Sequence, residues 1–332
     1  MIMKKFINNP DNLTAELLEG YCLAYKDKVK LEKEKIVVRV NAKSEDKVAI
    51  VSMGGTGHKP AVSGFVGEGM LDASVAGDIF AAPGAPKVFE ALQMFQRDAG
   101  ILLVVLNHAG DVMSANMAMQ LAERAGIKVK MLLTHEDISA GIDTPAEDRR
   151  GLGGCVPLYK VAGAAAEQGK SLDEVYEVAE RFHNQMATLA VAMTNCTHPQ
   201  TGQPISDLPE DEMEIGMGQH GEAGGGRSKV LTADETAERM IAPLMQATGV
   251  QSGDKAFLII NGVGATTLME MNLVYRRAHQ VLEENGIELV PGLIGELLTV
   301  QEMGGFQMIL CRLDDDHAEN LQAPAKAPYW NA

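Results

Sequence analysis

Three observations predict an α/β protein built as two α/β domains with mostly parallel sheets. Short β-branched and aliphatic runs alternate with longer segments of helical period. Several of those runs end in glycine-bearing loops, as strands of open α/β sheets do where ligands collect. The 332 residues also exceed one typical domain.

The aliphatic runs at 36–40, 48–52, 101–106, 128–133, 256–260, 288–291 and 306–311 are too short for helices and rich in Val, Ile and Leu, so they read as strands. Helical periodicity covers 13–25, 87–98, 113–125, 159–167, 172–193, 233–248 and 268–285. Asn12 stands as N-cap before the first of these and Ser171 before the fifth. The stretch 197–211 carries Pro199, Gly202, Pro204 and Pro209 among polar residues and reads as the longest irregular connection. A boundary there divides the chain into an N-terminal domain, 1–195, and a C-terminal domain, 196–332. No solenoid repeat is visible.

Composition narrows the function. Hydrophobic residues make up 46% and charged residues 22%, near globular averages, and nothing approaches the roughly 18 to 20 uninterrupted apolar residues of a membrane span. The N-terminus runs from Lys4-Lys5 into Asn8-Asn9-Pro10 without a signal-like apolar stretch, which predicts a cytoplasmic protein. A net charge of −16 argues against nucleic acid or anionic membrane as partner, because phosphates call for concentrated Lys and Arg. Cys22, Cys155, Cys196 and Cys311 stand singly, so neither a disulfide framework nor a zinc site is expected. The acidic run Asp314-Asp315-Asp316 reads as solvated surface, and the 19 methionines as core filler.

Three loops hold the candidate chemistry. After the run at 48–52 comes Gly54-Gly55-Thr56-Gly57-His58, whose glycines let backbone N–H groups approach a ligand; without a GK[ST] ending it is no P-loop. A tight turn carrying a solvent histidine fits the same residues. After 101–106 comes Gly110-Asp111, where the carboxylate is either a positioned base or the N-cap of the next helix, the cap being the simpler reading. The third loop, Gly218-Gln219-His220-Gly221-Glu222, overlaps a formal GxGxxG. More glycines follow instead of a helix, so a flexible loop around a histidine describes it better than a dinucleotide fingerprint.

Together these loops, in this order and spacing, resemble the signatures of the dihydroxyacetone kinase K-subunit family. Gly67-Glu68-Gly69-Met70-Leu71, Arg149-Arg150-Gly151, Asn261-Gly262-Val263-Gly264-Ala265-Thr266 and Glu302-Met303-Gly304-Gly305-Phe306 extend the resemblance over nearly the whole chain. It implies a two-domain α/β fold, usually dimeric, in which the histidine matching His220 holds the ketone carbon of dihydroxyacetone as a hemiaminal. Imidazole adds reversibly to a carbonyl and not to an alcohol, so the bond would separate ketose from glycerol. The residue matching Asp111 would accept the proton of the attacking hydroxyl, and that matching His58 would hydrogen-bond the sugar and assist proton transfer. Gly54, Gly55, Thr56 and Gly57 would complete the binding pocket. No cofactor is implied on this chain. ADP and magnesium belong to a partner L subunit, and a third subunit, M, recharges the ADP from phosphoenolpyruvate. The chain ends without an appended ATP-binding domain, which predicts the separate-subunit type.

Four positions depart from the family pattern. Leu106 stands where lysine is usual, Lys59 where glutamate is, Ala82 where serine is common and Met53 where a glycine is. The departures bear on which ketose is taken, erythrulose or a branched ketopentose being alternatives. They also bear on whether the chain phosphorylates at all or is a non-catalytic paralogue that binds dihydroxyacetone and co-activates a transcription factor.

Overall fold

The computed structural model describes residues 5–219, 221, 222 and 224–331. From the N-terminus the elements are α1 (Leu13–Ala24), β1 (Val29–Glu32), β2 (Ile36–Arg39), β3 (Ala49–Thr56), β4 (Ala73–Ile79), α2 (Ala85–Met94), β5 (Ile101–Leu106), α3 (Ala109–Arg124) and β6 (Val129–Thr134). Next come α4 (Cys155–Glu167), α5 (Leu172–Asn184), β7 (Met186–Ala192), β8 (Glu212–Ile215), β9 (Arg227–Lys229), α6 (Ala233–Thr248), β10 (Lys255–Gly262) and α7 (Leu268–Glu284). The chain closes with β11 (Glu288–Leu289), β12 (Leu293–Gly295), β13 (Gly305–Leu313), α8 (Asp315–Gln322), β14 (Lys326–Ala327) and β15 (Trp330–Asn331).

The chain divides into two compact units. The first comprises residues 1–134, 155–181 and 319–332, the second 135–154 and 182–318. In place of one crossing after residue 195, the units interleave. The physical cause is strand pairing: β7 lies antiparallel to β13, from Gly305 opposite Ala192 to Cys311 opposite Met186, so residues before 195 belong to the second sheet. The helical reading of 172–193 is corrected at the same place, because α5 stops at Asn184 and the remainder is β7.

In the first unit a sheet of order β1-β2-β4-β3-β5-β6 has a parallel core, β3 running parallel to β4 and β5, and β5 parallel to β6. Alternation along β3 sorts its side chains. Ala49, Val51 and Met53 join Val88, Leu92, Ala115 and Ala118 in the core beneath α2 and α3. Ser52, on the opposite face, meets the Tyr159 hydroxyl of α4 at 2.9 Å, and α4 is buried from Cys155 to Ala166.

In the second unit the order is β11-β10-β13-β7-β8-β9, with β12 also on β10. The pairings β10–β13, β13–β7, β7–β8 and β8–β9 are antiparallel, and β10 takes β11 and β12 in parallel. One face, with Leu258, Ile260, Met308 and Leu310, is covered by α6 and α7 through Met240, Leu244, Val274 and Leu282. Both helices start in capping boxes, Thr232 with Glu235 and Thr267 with Glu270. The other face carries a polar seam. Asn261 accepts N–H bonds from Leu297 at 2.7 Å and Leu298 at 3.1 Å, and Gln307 accepts from Gly153 at 2.9 Å.

Candidate functional site

In the first unit the candidate residues sit where three parallel neighbours, β4, β3 and β5, run out at their carboxyl ends. The register of β3 against β4 shifts between Gly54 and Thr56, and Thr56 Oγ1 donates to the Gly77 carbonyl at 2.7 Å. A side chain at position 55 would bring its Cβ to 3.0 Å from the Ala81 backbone nitrogen, so glycine lets the strand end lie this close without displacing that backbone by a few tenths of an ångström. His58 follows after Gly57 (φ 130°) and is buried, its ring 5.0 Å from that of Phe80. The solvent-histidine reading of this loop is thereby corrected.

Asp111 is 9% exposed and occupies the third position of α3, whose N-cap is His108 rather than Asp111. The helix begins four residues before the periodicity suggests, which takes the carboxylate from the cap into the first turn, where backbone N–H groups favour negative charge. The connection from β4 to α2 joins the two loops: Phe80 touches His58, and the Ala82 side chain lies 3.4 Å from where a Cβ on Gly110 would stand. The structure thus brings the loops of His58 and Asp111 together around residues 80–84.

The departures fall unequally. Ala82 is at this junction, and Leu106 is the buried last residue of β5. Met53 is a core residue. Lys59 directs its ammonium to Ser63 Oγ at 2.9 Å and over the Tyr21 ring at 5.9 Å. Burial pushes its pKa down to about 8; burial also raises that of the Cys22 thiol, against the opposing effect of the Lys59 ammonium.

In the second unit the third loop leaves β8, and no helix opens on it: β9 comes first, then α6 at Ala233. His220 itself lies outside the described residues. On either side of it the loop folds tightly. Gly225 N–H donates to Ile215 O at 2.7 Å and Gly218 N–H to Glu222 O at 2.8 Å, while a Cβ on Gly224 would overlap the Gly216 carbonyl. Arg150 ties this loop down. Its Nε donates to Asp137 at 2.8 Å, and Nη2 donates to Ser139 Oγ and to the Gly216 carbonyl, both at 2.7 Å. Burial raises the pKa of Asp137, and the guanidinium of Arg150 opposes that shift. Sequence reasoning had given Arg150 no role. The only signal was the motif Arg149-Arg150-Gly151, since the residues it binds stand up to 72 positions away.

A separate hollow of about 260 Å³ in the second unit is lined by Val191, Met193, Met213, Leu273 and Phe306. Glu270 on its wall is engaged in the cap of α7, which leaves the hollow without a reactive group. Among the described residues no three His, Cys, Asp or Glu side chains gather as a metal site, and no helix is long and apolar enough to cross a membrane.

A buried histidine on a loop and a buried acid in a first helical turn, both at the ends of parallel strands, together with a glycine loop clamped by arginine, are features of an α/β small-ligand protein. A family model for the Dak1 domain matches residues 19–329. The chain belongs to the dihydroxyacetone kinase K-subunit family. It is 36% identical over 330 residues to the dihydroxyacetone-binding subunit of PTS-dependent dihydroxyacetone kinase 1 of Listeria innocua, covering 99% of this chain and 100% of that protein. With the corresponding subunit of the PEP-dependent kinase of Escherichia coli it shares 32% over 353 residues, covering 99% of each. Among solved structures, the dihydroxyacetone kinase operon co-activator DhaQ superposes with a TM-score of 0.90 at 30% identity over 96% of this chain and 98% of that one. The dihydroxyacetone kinase of C. freundii also gives 0.90, at 29% identity, over 99% of this chain and 60% of that longer one.

Proposed function

We propose that the chain is the ketose-binding subunit of a phosphoenolpyruvate-dependent dihydroxyacetone kinase, working in the cytoplasm as a homodimer. An L subunit carrying ADP and magnesium delivers the phosphoryl group, and an M subunit recharges it. The observation that carries the reading is the burial of His58, on the loop after β3, and of Asp111, in the first turn of α3 after β5, at the ends of adjacent parallel strands and about the segment 80–84. The dihydroxyacetone-binding relatives add their weight over the full chain.

In this reading a ring nitrogen of His220 attacks the ketone carbon. The N–C bond forms as the carbonyl π bond breaks, the oxygen takes a proton, and the imidazole gives up the proton of its other nitrogen. A terminal hydroxyl of the tethered ketose then attacks phosphorus, and Asp111 accepts its proton while His58 hydrogen-bonds the sugar. The backbone of Gly54, Gly55, Thr56 and Gly57 lines the pocket. Tethering holds the reacting hydroxyl in place, the condition under which a single carboxylate base suffices.

The likeness to the co-activator favours a second reading, in which the chain captures the ketose and signals to a transcription factor. One assay separates the two. The purified chain is combined with an L subunit, magnesium, ADP, a recharging system and a panel containing dihydroxyacetone, erythrulose and a branched ketopentose, and phosphorylated ketose is measured. Turnover establishes the kinase; adduct formation with no turnover on any ketose establishes the sensor. A His220→Ala variant that binds ketose as tightly as the wild type would overturn the hemiaminal.

A further inference from the structure

Both readings leave open what shapes the glycine loop of the second unit. We propose that Arg150 is a positioning residue for that loop, a single guanidinium that ties Gly216 and Glu222 to the segment 137–139. Its effect on ketose capture rests on the proposed role of His220.

The geometry is that of a fork with every tine used. On the segment side, Nε donates to Asp137 Oδ2 at 2.8 Å and Nη2 to Ser139 Oγ at 2.7 Å. These two acceptors are themselves fixed: Ser139 donates its amide to Asp137 Oδ1 at 2.9 Å and its hydroxyl to Asp137 Oδ2 at 3.0 Å. The Asp137 amide in turn donates to the Arg150 carbonyl at 3.0 Å. On the loop side, Nη2 donates to the Gly216 carbonyl at 2.7 Å, four positions before His220, and Nη1 to the Glu222 carbonyl at 3.5 Å, two positions after it. The guanidinium also fills the space at Gly218, where a Cβ would overlap it.

Charge meets the guanidinium at both ends: the Asp137 carboxylate at the anchored end and, on the loop, the Glu222 carboxylate, whose Oε2 crowds the same point beside Gly218 as Arg150 Nη1. An ion pair between Arg150 and Asp137, whose side chains are 19% and 1% exposed, sets the orientation of the fork; the remaining N–H groups then fix the loop. Lysine cannot replace it. One ammonium offers its donors from a single point, whereas the contacts here leave from three nitrogens of a planar group.

The test compares wild type with Arg150→Ala, Arg150→Lys and Ser139→Ala in the full chain. Ketose capture is read with dihydroxyacetone labelled with carbon-13 at C2, whose ketone signal is replaced by that of a tetrahedral carbon when the adduct forms. Hydrogen exchange of the peptide spanning 213–226 is read in parallel. Arg150→Ala and Arg150→Lys are expected to weaken capture by about 10- to 100-fold and to lose protection in that peptide while other peptides keep theirs. Guanidinium ion is expected to restore part of the capture to Arg150→Ala and none to Arg150→Lys. Ser139→Ala, which removes one contact of the fork, is expected to fall between, and it decides the matter if Arg150→Ala does not fold. Unchanged exchange at 213–226 in these variants, or wild-type capture by them, would overturn the inference. Exchange that rises in the variants while the wild type shows no tetrahedral carbon supports the clamp and sinks the hemiaminal instead.

Discussion

Replacing Glu136 by glutamine isolates one charge whose effect on stability has a calculable size and sign. The carboxyl is 2% exposed, its Oε1 accepts the N–H groups of Leu152 at 2.7 Å and Gly154 at 3.0 Å, and its Oε2 has no hydrogen-bond partner among the described residues. Burial raises its pKa from 4.5 to about 7, the two amide bonds work against the rise, and the neighbouring Asp137 adds to it. Because the folded-state pKa lies above the unfolded value, the folded chain keeps a proton that the unfolded chain has already lost. Stability is thus highest below pH 4.5 as far as this group is concerned and is given up as pH rises toward about 7. At 1.36 kcal/mol per pH unit the window is worth about 3 kcal/mol. Glu136→Gln keeps the Oε1 acceptor and carries no charge at any pH. Urea unfolding of both proteins, followed on the unit that contains residue 136, is therefore expected to give similar stabilities at about pH 5. At about pH 8 the variant is expected to be the more stable by about 3 kcal/mol. A gap of the same size at both pH values would refute the reasoning, since it would mean that Glu136 titrates alike in the folded and unfolded chain.

Two further outcomes follow from the same structure. Asp72 is fully buried and accepts from Lys43 Nζ at 2.8 Å, Arg39 Nη1 at 3.1 Å and the Ile50 amide at 2.8 Å, so Asp72→Ala takes the ion-pair partner from the buried Lys43 and leaves Arg39 with Glu167 alone. Thermal or denaturant unfolding should show a loss of about 3–5 kcal/mol. Gly224→Ala puts a Cβ into the Gly216 carbonyl, and the loop must shift. Ketose titration is expected to show at least a roughly tenfold loss of affinity with the melting temperature of the second unit little changed, and unchanged affinity would mean that the crossing of the two glycines does not shape the site.

Much of the fold was legible because local and tertiary preferences agree. The six aliphatic residues Ile101–Leu106 form a strand buried at every position. Legibility failed where short apolar runs fit two periods. Residues 186–192, Met-Ala-Thr-Leu-Ala-Val-Ala, continue the helical pattern of α5 as readily as they alternate, and pairing with β13 decides for a strand. β4 went unseen because Gly77 and Asp78 interrupt it, although its partners β2 and β3 on either side carry the pairing. In the site, His58 and Asp111 could be singled out because each follows a strand within a few residues. Arg150 could not, since its role exists only after segments 137–139 and 216–222 have been brought to it.

The two halves of the candidate machinery are held by different physics, and this bears on what substitutions can do to each. Around His58 and Asp111 the restraints are backbone ones: strand register, a glycine that admits the Ala81 backbone and the first turn of a helix whose body is packed in the core. Side-chain changes at Leu106 and Ala82 can alter the polarity there while leaving the strand ends where they are. In the glycine loop of the second unit the restraint is a charged side chain, the guanidinium of Arg150, and a single substitution there removes it. Substitution at the first set of residues can therefore change polarity without moving the backbone, whereas substitution at Arg150 releases the loop that carries Gly216 and Glu222.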